Sequence, residues 1–171
     1  EMNALGINQG TSGNISAKFD GRMLISPSAT SYDRCTPEMI ASLPLDSTGE
    51  FDGPLKPSVE WRFHLDLHAN RDDVHAVLHA HPIFCTTLAM AHRTIPAAHY
   101  MVAAFGGATV ELADYAVYGS PELAEHVRKA MVGRTACLMA NHGMCVVGES
   151  LEERSVHSCC SEISFFYDKP I

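Results

Sequence analysis

Val77-Leu78-His79-Ala80-His81-Pro82 is the stretch that decides the architecture of this chain. On a β-strand the side chains alternate between two faces, so His79 and His81 project from the same side. Two imidazoles on one face of a stiff strand form half of a metal site at little additional cost in conformational freedom. Pro82 lacks a backbone donor, so we expect strand pairing to end there and the chain to turn into a helix.

Two other segments carry side chains that complete such a site. Glu60 lies upstream at the start of an amphipathic pattern, and Asn141-His142-Gly143 follows a second apolar run. Zinc takes nitrogen, sulfur and oxygen ligands in tetrahedral geometry, and catalytic zinc sites keep one position open. We predict a metal centre at His79, His81 and His142, with Glu60 either as a fourth ligand or as a nearby base. In a chain with ten histidines the closely spaced pair alone is also compatible with a solvated or core role.

Composition limits the class of protein. The 171 residues carry a net charge of −8, which argues against a sequence-independent nucleic-acid binder. Residues 1–171 are expected to form one domain, and the sequence is expected to be trimmed at both termini. No apolar stretch approaches the length of a membrane span. The six cysteines show no metal-binding or disulfide spacing, which favours reduced thiols and a cytoplasmic location.

Patterning predicts alternating strands and helices. The Asp20-Gly21 dipeptide predicts a tight hairpin between two strands. Thr36-Pro37 is typical of a helix start, and Ser120-Pro121 has the same cap-and-proline pattern. The remaining predicted elements are a surface connection over 44–57, a helix from Pro57 to about Ala69, a strand over 74–79, a helix over 83–91, a helix ending at Gly133, strands over 136–140 and 144–147, and a last helix opened by a capping box at 150–153. A mixed, partly antiparallel sheet covered by helices follows from this order.

Hydroxyl- and glycine-rich segments offer donors for an anion. The run Gly10-Thr11-Ser12-Gly13-Asn14 can present several backbone N–H groups, and Ser26 and Ser28 form a second such loop. Ser58 lies at a helix N-terminus, where the dipole favours a phosphate. A simple turn or cap is the better explanation of each segment taken alone, but the three donor clusters together with a metal predict a phosphorylated substrate. The lack of a Walker lysine pattern and of GxGxxG argues against nucleotide binding, and no GxSxG elbow supports a serine nucleophile.

Several motifs in register resemble the class II aldolase/adducin family. They are GTSGNIS at 10–16, KPSVEWRFHLDLH at 56–68, HAH at 79–81, AAHYMVAAFGG at 97–107 and NHG at 141–143. The resemblance spans nearly the whole chain. It implies an α/β fold, a three-layer α/β/α domain whose central sheet is mixed and mainly antiparallel. It also implies a homotetramer with active sites at the subunit interfaces.

The same resemblance implies roles for individual residues. His79, His81 and His142 would bind zinc, or another divalent ion such as manganese or cobalt, with Glu60 as the associated acid/base. Tyr100 would exchange a proton with the aldehyde-side oxygen across a subunit boundary, although a buried tyrosine in an apolar run is the alternative. Thr11, Asn14, Ser28 and Ser58 would hold the substrate phosphate. The chain departs from the pattern at Val59 and Ala29, where the aldolases often have Ser and Gly, which puts phosphate affinity or substrate identity in question.

The function implied is reversible retro-aldol cleavage of a small ketose 1-phosphate to dihydroxyacetone phosphate and an aldehyde, through a metal-stabilised enediolate. A decarboxylase, dehydratase or 4-epimerase acting on a sugar phosphate would use the same electrophile. A non-enzymatic interaction domain like the adducin head has the fold without the metal site. The four residues Glu60, His79, His81 and His142 argue for an enzyme.

Overall fold

A computed structural model describes residues 8–151 of the chain. Within this range the secondary structure alternates, as the patterning predicts. The elements in order are β1 (Asn14–Phe19), β2 (Arg22–Ile25), a 3₁₀ helix (Pro37–Met39), β3 (Ala41–Pro44), α1 (Trp61–Asn70), β4 (Ala76–Ala80), α2 (Ile83–Met90), a second 3₁₀ helix (Tyr100–Phe105), β5 (Glu111–Ala113), α3 (Pro121–Ala130), β6 (Ala136–Met139) and β7 (Gly143–Gly148).

The strands of residues 8–151 form one seven-stranded sheet in the order β3-β2-β1-β4-β7-β6-β5. Five of the strand pairs are antiparallel, and β5 pairs with β6 in parallel. The mixed, mainly antiparallel sheet is therefore confirmed. The histidine-bearing strand β4 lies at its centre, between β1 and β7, where strand pairing holds its backbone on both sides.

The predicted hairpin joins β1 and β2. Asp20 and Gly21 both have positive φ, 49° and 69°. These are the dihedral angles of a type I′ turn, whose twist matches that of the flanking strands. Phe19 is consequently paired with Arg22.

Helices cover both faces of the sheet, which confirms the three-layer architecture. On one face, α1 and α3 place Phe63 and Val127 against strand residues such as Val77. On the other face, α2 and the second 3₁₀ helix place Ala89 and Phe105 in a second core cluster. Because successive strand residues alternate between the faces, His79 lies on the α1 side together with Val77.

Some local predictions were incomplete. The predicted connection over 44–57 is preceded by β3, and Asp52 pairs with Ser42 of that strand. Strand β5 and the 3₁₀ helix Tyr100–Phe105 were not predicted, because short segments of this kind lack a clear period. Thr36 precedes the first 3₁₀ helix without a side-chain cap hydrogen bond, whereas Ser120 Oγ accepts from the Leu123 N–H at 3.1 Å. The predicted capping box at 150–153 falls mainly outside the described residues. In the part of the chain that is described, no helix has the length and apolar character of a membrane span.

Candidate metal centre and substrate cavity

Strand β4 brings the two histidines together as predicted. The Nε2 atoms of His79 and His81 lie 3.1 Å apart. His79 is fully buried, and its Nδ1 lies 2.8 Å from the Met144 carbonyl oxygen on β7. A carbonyl can only accept, so Nδ1 carries the hydrogen and donates it, and Nε2 is left with a lone pair. The neighbouring strand therefore sets the tautomer that metal binding requires.

The turn between β6 and β7 supplies the third histidine. Asn141 adopts a left-handed conformation, with φ of 54°, which asparagine tolerates better than most residues. The His142 N–H donates to the Met139 carbonyl at 3.0 Å and closes the turn. A Cβ atom at Gly143 would lie 2.6 Å from the Ala80 carbonyl oxygen and 2.8 Å from the His81 ring. Glycine is required there because the turn approaches β4 so closely.

Glu60 directs its carboxylate into the same cluster from the start of α1. Its Oε2 atom is 3.3 Å from Nε2 of His79, and its Oε1 atom is 3.3 Å from Nε2 of His142. The residue is 5 % exposed, and Oε2 accepts a hydrogen bond from Asn14 Nδ2 at 2.9 Å. Among residues 8–151, Oε1 has no hydrogen-bond partner. A buried carboxylate oxygen without a donor indicates a missing positive partner.

The cluster fits a divalent metal ion. One ligand atom from each of His79, His81 and His142 can be chosen so that all three lie within 4.8 Å of one another. Ligand atoms placed tetrahedrally at about 2.0–2.1 Å from zinc are about 3.3 Å apart, close to the 3.1 and 3.3 Å separations here. The Oε1 atom of Glu60, which has no hydrogen-bond partner among residues 8–151, lies 3.3 Å from Nε2 of His142 and therefore borders the same site. These residues form a divalent-metal site.

Burial keeps these histidines in the neutral form that binds metal. Burial, with the neighbouring His81 as a smaller cause, lowers the pKa of His79 to about 3. Burial likewise lowers the pKa of His142 to about 4 and shifts that of His81 below its usual value. At neutral pH no proton therefore competes for the ring nitrogens.

A cavity of about 340 Å³ opens directly beside the centre. Glu60, His81 and His142 line it on one side. The four residues predicted to hold phosphate, which come from three separate segments, line it as well: Thr11, Asn14, Ser28 and Ser58. Every predicted site residue except Tyr100 and the fully buried His79 thus lines one cavity. His79 lies behind this lining, with its Nε2 atom 3.1 Å from His81 Nε2 and 3.3 Å from Glu60 Oε2.

Backbone pairing explains how the separate loops meet. Asn14 pairs with His79 in the β1–β4 register, which places the 10–14 loop beside the metal centre. The Ser58 N–H donates to the Ser26 carbonyl at 3.0 Å, and the Ser28 N–H donates to the Lys56 carbonyl at 3.0 Å. The two serine-bearing segments are therefore held side by side.

Gly13 and Asn8 attach the first loop to the histidine strand. Gly13 has φ of 75°, and a Cβ atom there would lie 2.7 Å from the His79 carbonyl oxygen. Asn8 is 4 % exposed, and its Oδ1 accepts from the His81 N–H at 2.9 Å. Asn8 was not predicted as a site residue, because a lone asparagine before a glycine-rich loop has no distinguishing pattern.

The cavity has further lining residues that the sequence patterns did not predict. Tyr115, Ala116 and Tyr118 line it from the loop after β5. Val59 and Ala29, the two departures from the family pattern, line it too. Ala29 has φ of 52°, a conformation that favours glycine. No periodicity marks a loop aromatic as a cavity residue, so only the folded chain identifies the tyrosines.

Tyr100 does not join the other site residues of its own chain. Its side chain is 78 % exposed at the start of the second 3₁₀ helix, and it does not line the cavity. The alternative of a buried tyrosine is therefore wrong. Its predicted action at a neighbouring subunit stays a prediction.

Comparisons with known proteins agree with this geometry. The profile of the class II aldolase and adducin N-terminal domain matches residues 1–165. A 5-methylthioribulose-1-phosphate/5-deoxyribulose-1-phosphate aldolase of Rhodospirillum rubrum is 47 % identical over 152 residues, which is 89 % of this chain and 68 % of that protein. An L-fuculose phosphate aldolase of Escherichia coli is 41 % identical over 90 % of this chain and 70 % of its own length.

The solved structures agree as well. The structure of an L-fuculose 1-phosphate aldolase superimposes with a TM-score of 0.86 at 32 % identity, over 99 % of this chain and 84 % of that one. With its fold, its three-histidine metal site and these relatives, the chain belongs to the class II aldolase and adducin family and groups there with the aldolases, which are carbon–carbon lyases.

Proposed function

We propose that the chain is a zinc-dependent aldolase that reversibly cleaves a small ketose 1-phosphate to dihydroxyacetone phosphate and an aldehyde. One observation carries the proposal: the metal site and the Glu60 carboxylate adjoin the same cavity as the donor side chains of Thr11, Ser28 and Ser58. Two relatives that are 47 % and 41 % identical to this chain over the aligned 152 and 153 residues are named as aldolases of sugar phosphates. Their names support a phosphorylated ketose, and they differ in the sugar.

His79, His81 and His142 would hold the ion, with Glu60 as a further ligand or as the adjacent acid/base. When bound, a divalent ion supplies a Lewis acid that draws electron density from a carbonyl oxygen. The three neutral imidazoles leave the positive charge of the ion uncompensated, and the carboxylate of Glu60 is the one anionic group beside them in the described cluster. Zinc suits this nitrogen-rich donor set, and manganese or cobalt could replace it.

Glu60 is assigned the proton transfer at carbon. Cleavage removes a hydroxyl proton from the aldehyde half, breaks the carbon–carbon bond, and leaves an electron pair at the carbon next to the carbonyl. That carbon must then gain a proton, which Glu60 in the cavity wall supplies from its carboxylic-acid form over about 2.6–3.2 Å, becoming the carboxylate. The hydroxyl proton removed from the aldehyde half balances the proton that Glu60 delivers. In the reverse direction the same carboxylate removes that proton.

The phosphate group is assigned to the loops on the other side of the cavity. Thr11, Ser28 and Ser58 offer hydroxyl donors there, and the 10–14 loop adds backbone N–H groups. Asn14 uses one amide hydrogen on Glu60 and keeps a second for the substrate. The donor set is neutral, so it suits a phosphate that is also attracted by the metal charge.

Assembly is part of the proposal. We infer a homotetramer in which Tyr100 reaches the cavity of a neighbouring subunit and handles the hydroxyl proton. Its 78 % exposure and its distance from the cavity of its own chain support that role. Residues 1–171 would form a single domain, in line with the family profile over 1–165. No disulfide joins the cysteines of residues 8–151 to one another, which supports a cytoplasmic location.

A panel of ketose 1-phosphates tests the function. We expect the purified protein to release dihydroxyacetone phosphate from L-fuculose 1-phosphate, 5-deoxyribulose 1-phosphate or 5-methylthioribulose 1-phosphate, and to stop doing so after chelation. Loss of carbon dioxide, loss of water or inversion at the fourth carbon would instead indicate the decarboxylase, dehydratase or 4-epimerase. A stable, metal-free protein without turnover would indicate an interaction domain like the adducin head.

A further inference from the structure

Two rows of buried polar side chains, one on β1 and one on α1, begin beside the metal centre and contact each other inside the protein. Strand β1 contributes Asn14 and Ser16 to one face, and α1 together with the residue before it contributes Glu60, His64 and His68. Two strand residues advance about 6.7 Å and four helix residues about 6.0 Å, so the rows stay in step. All five residues are buried, with exposures from 0 to 5 %.

The two rows interlock in a continuous series of contacts. Asn14 Nδ2 is 2.9 Å from Glu60 Oε2, and Asn14 Oδ1 is 2.5 Å from His64 Nε2. Ser16 Oγ is 2.7 Å from His64 Nδ1 and 2.8 Å from His68 Nε2. At the far end, His68 Nδ1 is 3.3 Å from the Val74 carbonyl oxygen. We call this series the Glu60–His68 chain.

The number of available donor hydrogens determines which way the hydrogen bonds of the Glu60–His68 chain run. Both ends, the Glu60 carboxylate and the Val74 carbonyl, can only accept. The five contacts between them need five donors, but Asn14, Ser16 and two neutral imidazoles provide one each toward the chain. One contact must therefore lack a hydrogen. Four of the contacts, at 2.5–2.9 Å, are too short for two lone pairs to face each other. The shortage therefore falls at the 3.3 Å contact of His68 Nδ1 with the Val74 carbonyl, in contrast to the 2.8 Å contact in which His79 Nδ1 donates.

Both imidazoles are neutral in this environment. Burial lowers the pKa of His64 well below its usual value, and burial lowers the pKa of His68 to about 4. With neutral rings, each nitrogen has a single role. His68 Nε2–H donates to Ser16, Ser16 donates to His64 Nδ1, and His64 Nε2–H donates to Asn14 Oδ1. The amide of Asn14 is then turned with its N–H group toward Glu60.

We propose that His64, Ser16 and His68 are positioning residues, which act through the Asn14 amide to hold the Glu60 carboxylate in its reactive orientation. The alternative amide orientation would place Oδ1 against the carboxylate, where two acceptors repel. The kinetic part of this inference rests on the proposed function, whereas the hydrogen arrangement does not. Burying two histidines and a serine in a small domain costs free energy of folding. The positioning of Glu60 by the Glu60–His68 chain gives a reason for that cost.

Ring-nitrogen NMR tests the arrangement without any substrate. On the zinc-loaded, ¹⁵N-labelled protein at neutral pH, two-bond ¹H–¹⁵N correlations distinguish the two imidazole tautomers. We expect both His64 and His68 to carry their hydrogen on Nε2. A hydrogen on Nδ1 of either ring would reverse the direction of the hydrogen bonds in the Glu60–His68 chain and overturn the proposal. The test uses the unmodified protein, so it does not depend on the folding of a variant.

Substitution of Ser16 tests the consequence. Ser16→Ala removes the central hydroxyl, and we expect kcat to fall about tenfold while zinc content and KM are unchanged. Ser16→Thr keeps the hydroxyl and should restore kcat. The matched control is Ser42→Ala in the edge strand β3, two strands away from β1. It removes a hydroxyl that accepts from Arg22 Nε at 2.7 Å, and it should leave kcat unchanged.

The outcomes separate the two proposals. An unchanged kcat in Ser16→Ala, or an equal loss in Ser42→Ala, would show that the Glu60–His68 chain does not position the Glu60 carboxylate. Absence of cleavage by the unmodified protein would instead refute the proposed function. The NMR experiment would still show whether the hydrogens of the Glu60–His68 chain are arranged as proposed.

Discussion

Replacing His142 by alanine is the most direct test of the metal centre. His142 reaches the cluster from the β6–β7 turn, and its Nε2 lies 3.3 Å from Glu60 Oε1. The turn is closed by the backbone hydrogen bond from His142 N to Met139 O, which alanine retains. The side chain borders the cavity, so its removal admits water and does not leave a void in the core. We therefore expect His142→Ala to fold.

The expected effect follows from the number of ligands. Structural zinc sites with four ligands have binding free energies of about 10–16 kcal/mol, or roughly 3 kcal/mol per ligand. Loss of one of the three histidines should then raise the zinc Kd by about two orders of magnitude. Aldolase activity should disappear together with the metal at zinc concentrations that saturate the unmodified protein.

Competition with a chromophoric chelator measures the Kd directly, and thermal unfolding with added zinc measures it independently. A hundredfold weaker Kd removes about 2.7 kcal/mol of zinc-dependent stabilisation. The control is His126→Ala on α3, whose ring faces the Asp114 carbonyl at 3.1 Å and lies outside the centre. An unchanged zinc Kd in His142→Ala would exclude this residue as a ligand and refute the assignment of the centre.

Four other predictions concern single residues. Glu60→Gln should retain zinc but lose most turnover, because an amide cannot carry the transferred proton; metal analysis beside kinetics checks both, and normal rates would exclude the role. The free energy of unfolding should fall as the pH drops from 6.5 towards 4, because burial lowers the pKa of His68 from 6.5 to about 4 and the unfolded chain binds more protons in this window. Urea titrations should show this slope, and His68→Gln should reduce it. Ala29→Gly should raise the free energy of unfolding by roughly 0.5–1 kcal/mol, because Ala29 has φ of 52°; a lower urea midpoint would contradict this. Co-expressed Tyr100→Phe and Glu60→Gln subunits should regain activity that neither has alone, and failure to do so would argue against a shared site.

The metal centre was predictable because its signals are local. The alternation of a strand is enough to place His79 and His81 on one face. The turn chemistry of Asn141 and Gly143 marks the end of a strand, where a side chain such as His142 becomes available. The hairpin at Asp20-Gly21 was predictable for the same reason, since two positive φ angles demand those residue types.

The polar rows of β1 and α1 show where sequence reasoning stopped short. The spacing of Asn14 and Ser16, and of Glu60, His64 and His68, is visible in the sequence. Each row alone is equally typical of a solvated face, however, and His64 and His68 were assigned no common role. Only the packing of α1 on β1 shows that the rows interlock and are buried.

The sequence by itself determined the ligand types, the strand that carries the histidine pair, most of the order of helices and strands, and the mixed character of the sheet. These properties depend on neighbours a few residues apart, through side-chain periodicity and turn dihedrals. Tertiary structure alone decided that the segments 11–14, 27–29 and 58–60 line one cavity with Tyr115 and Tyr118, and that the exposed Tyr100 does not line it. Such contacts join residues dozens of positions apart, and they exist only once strand register and helix packing have set the distances between them.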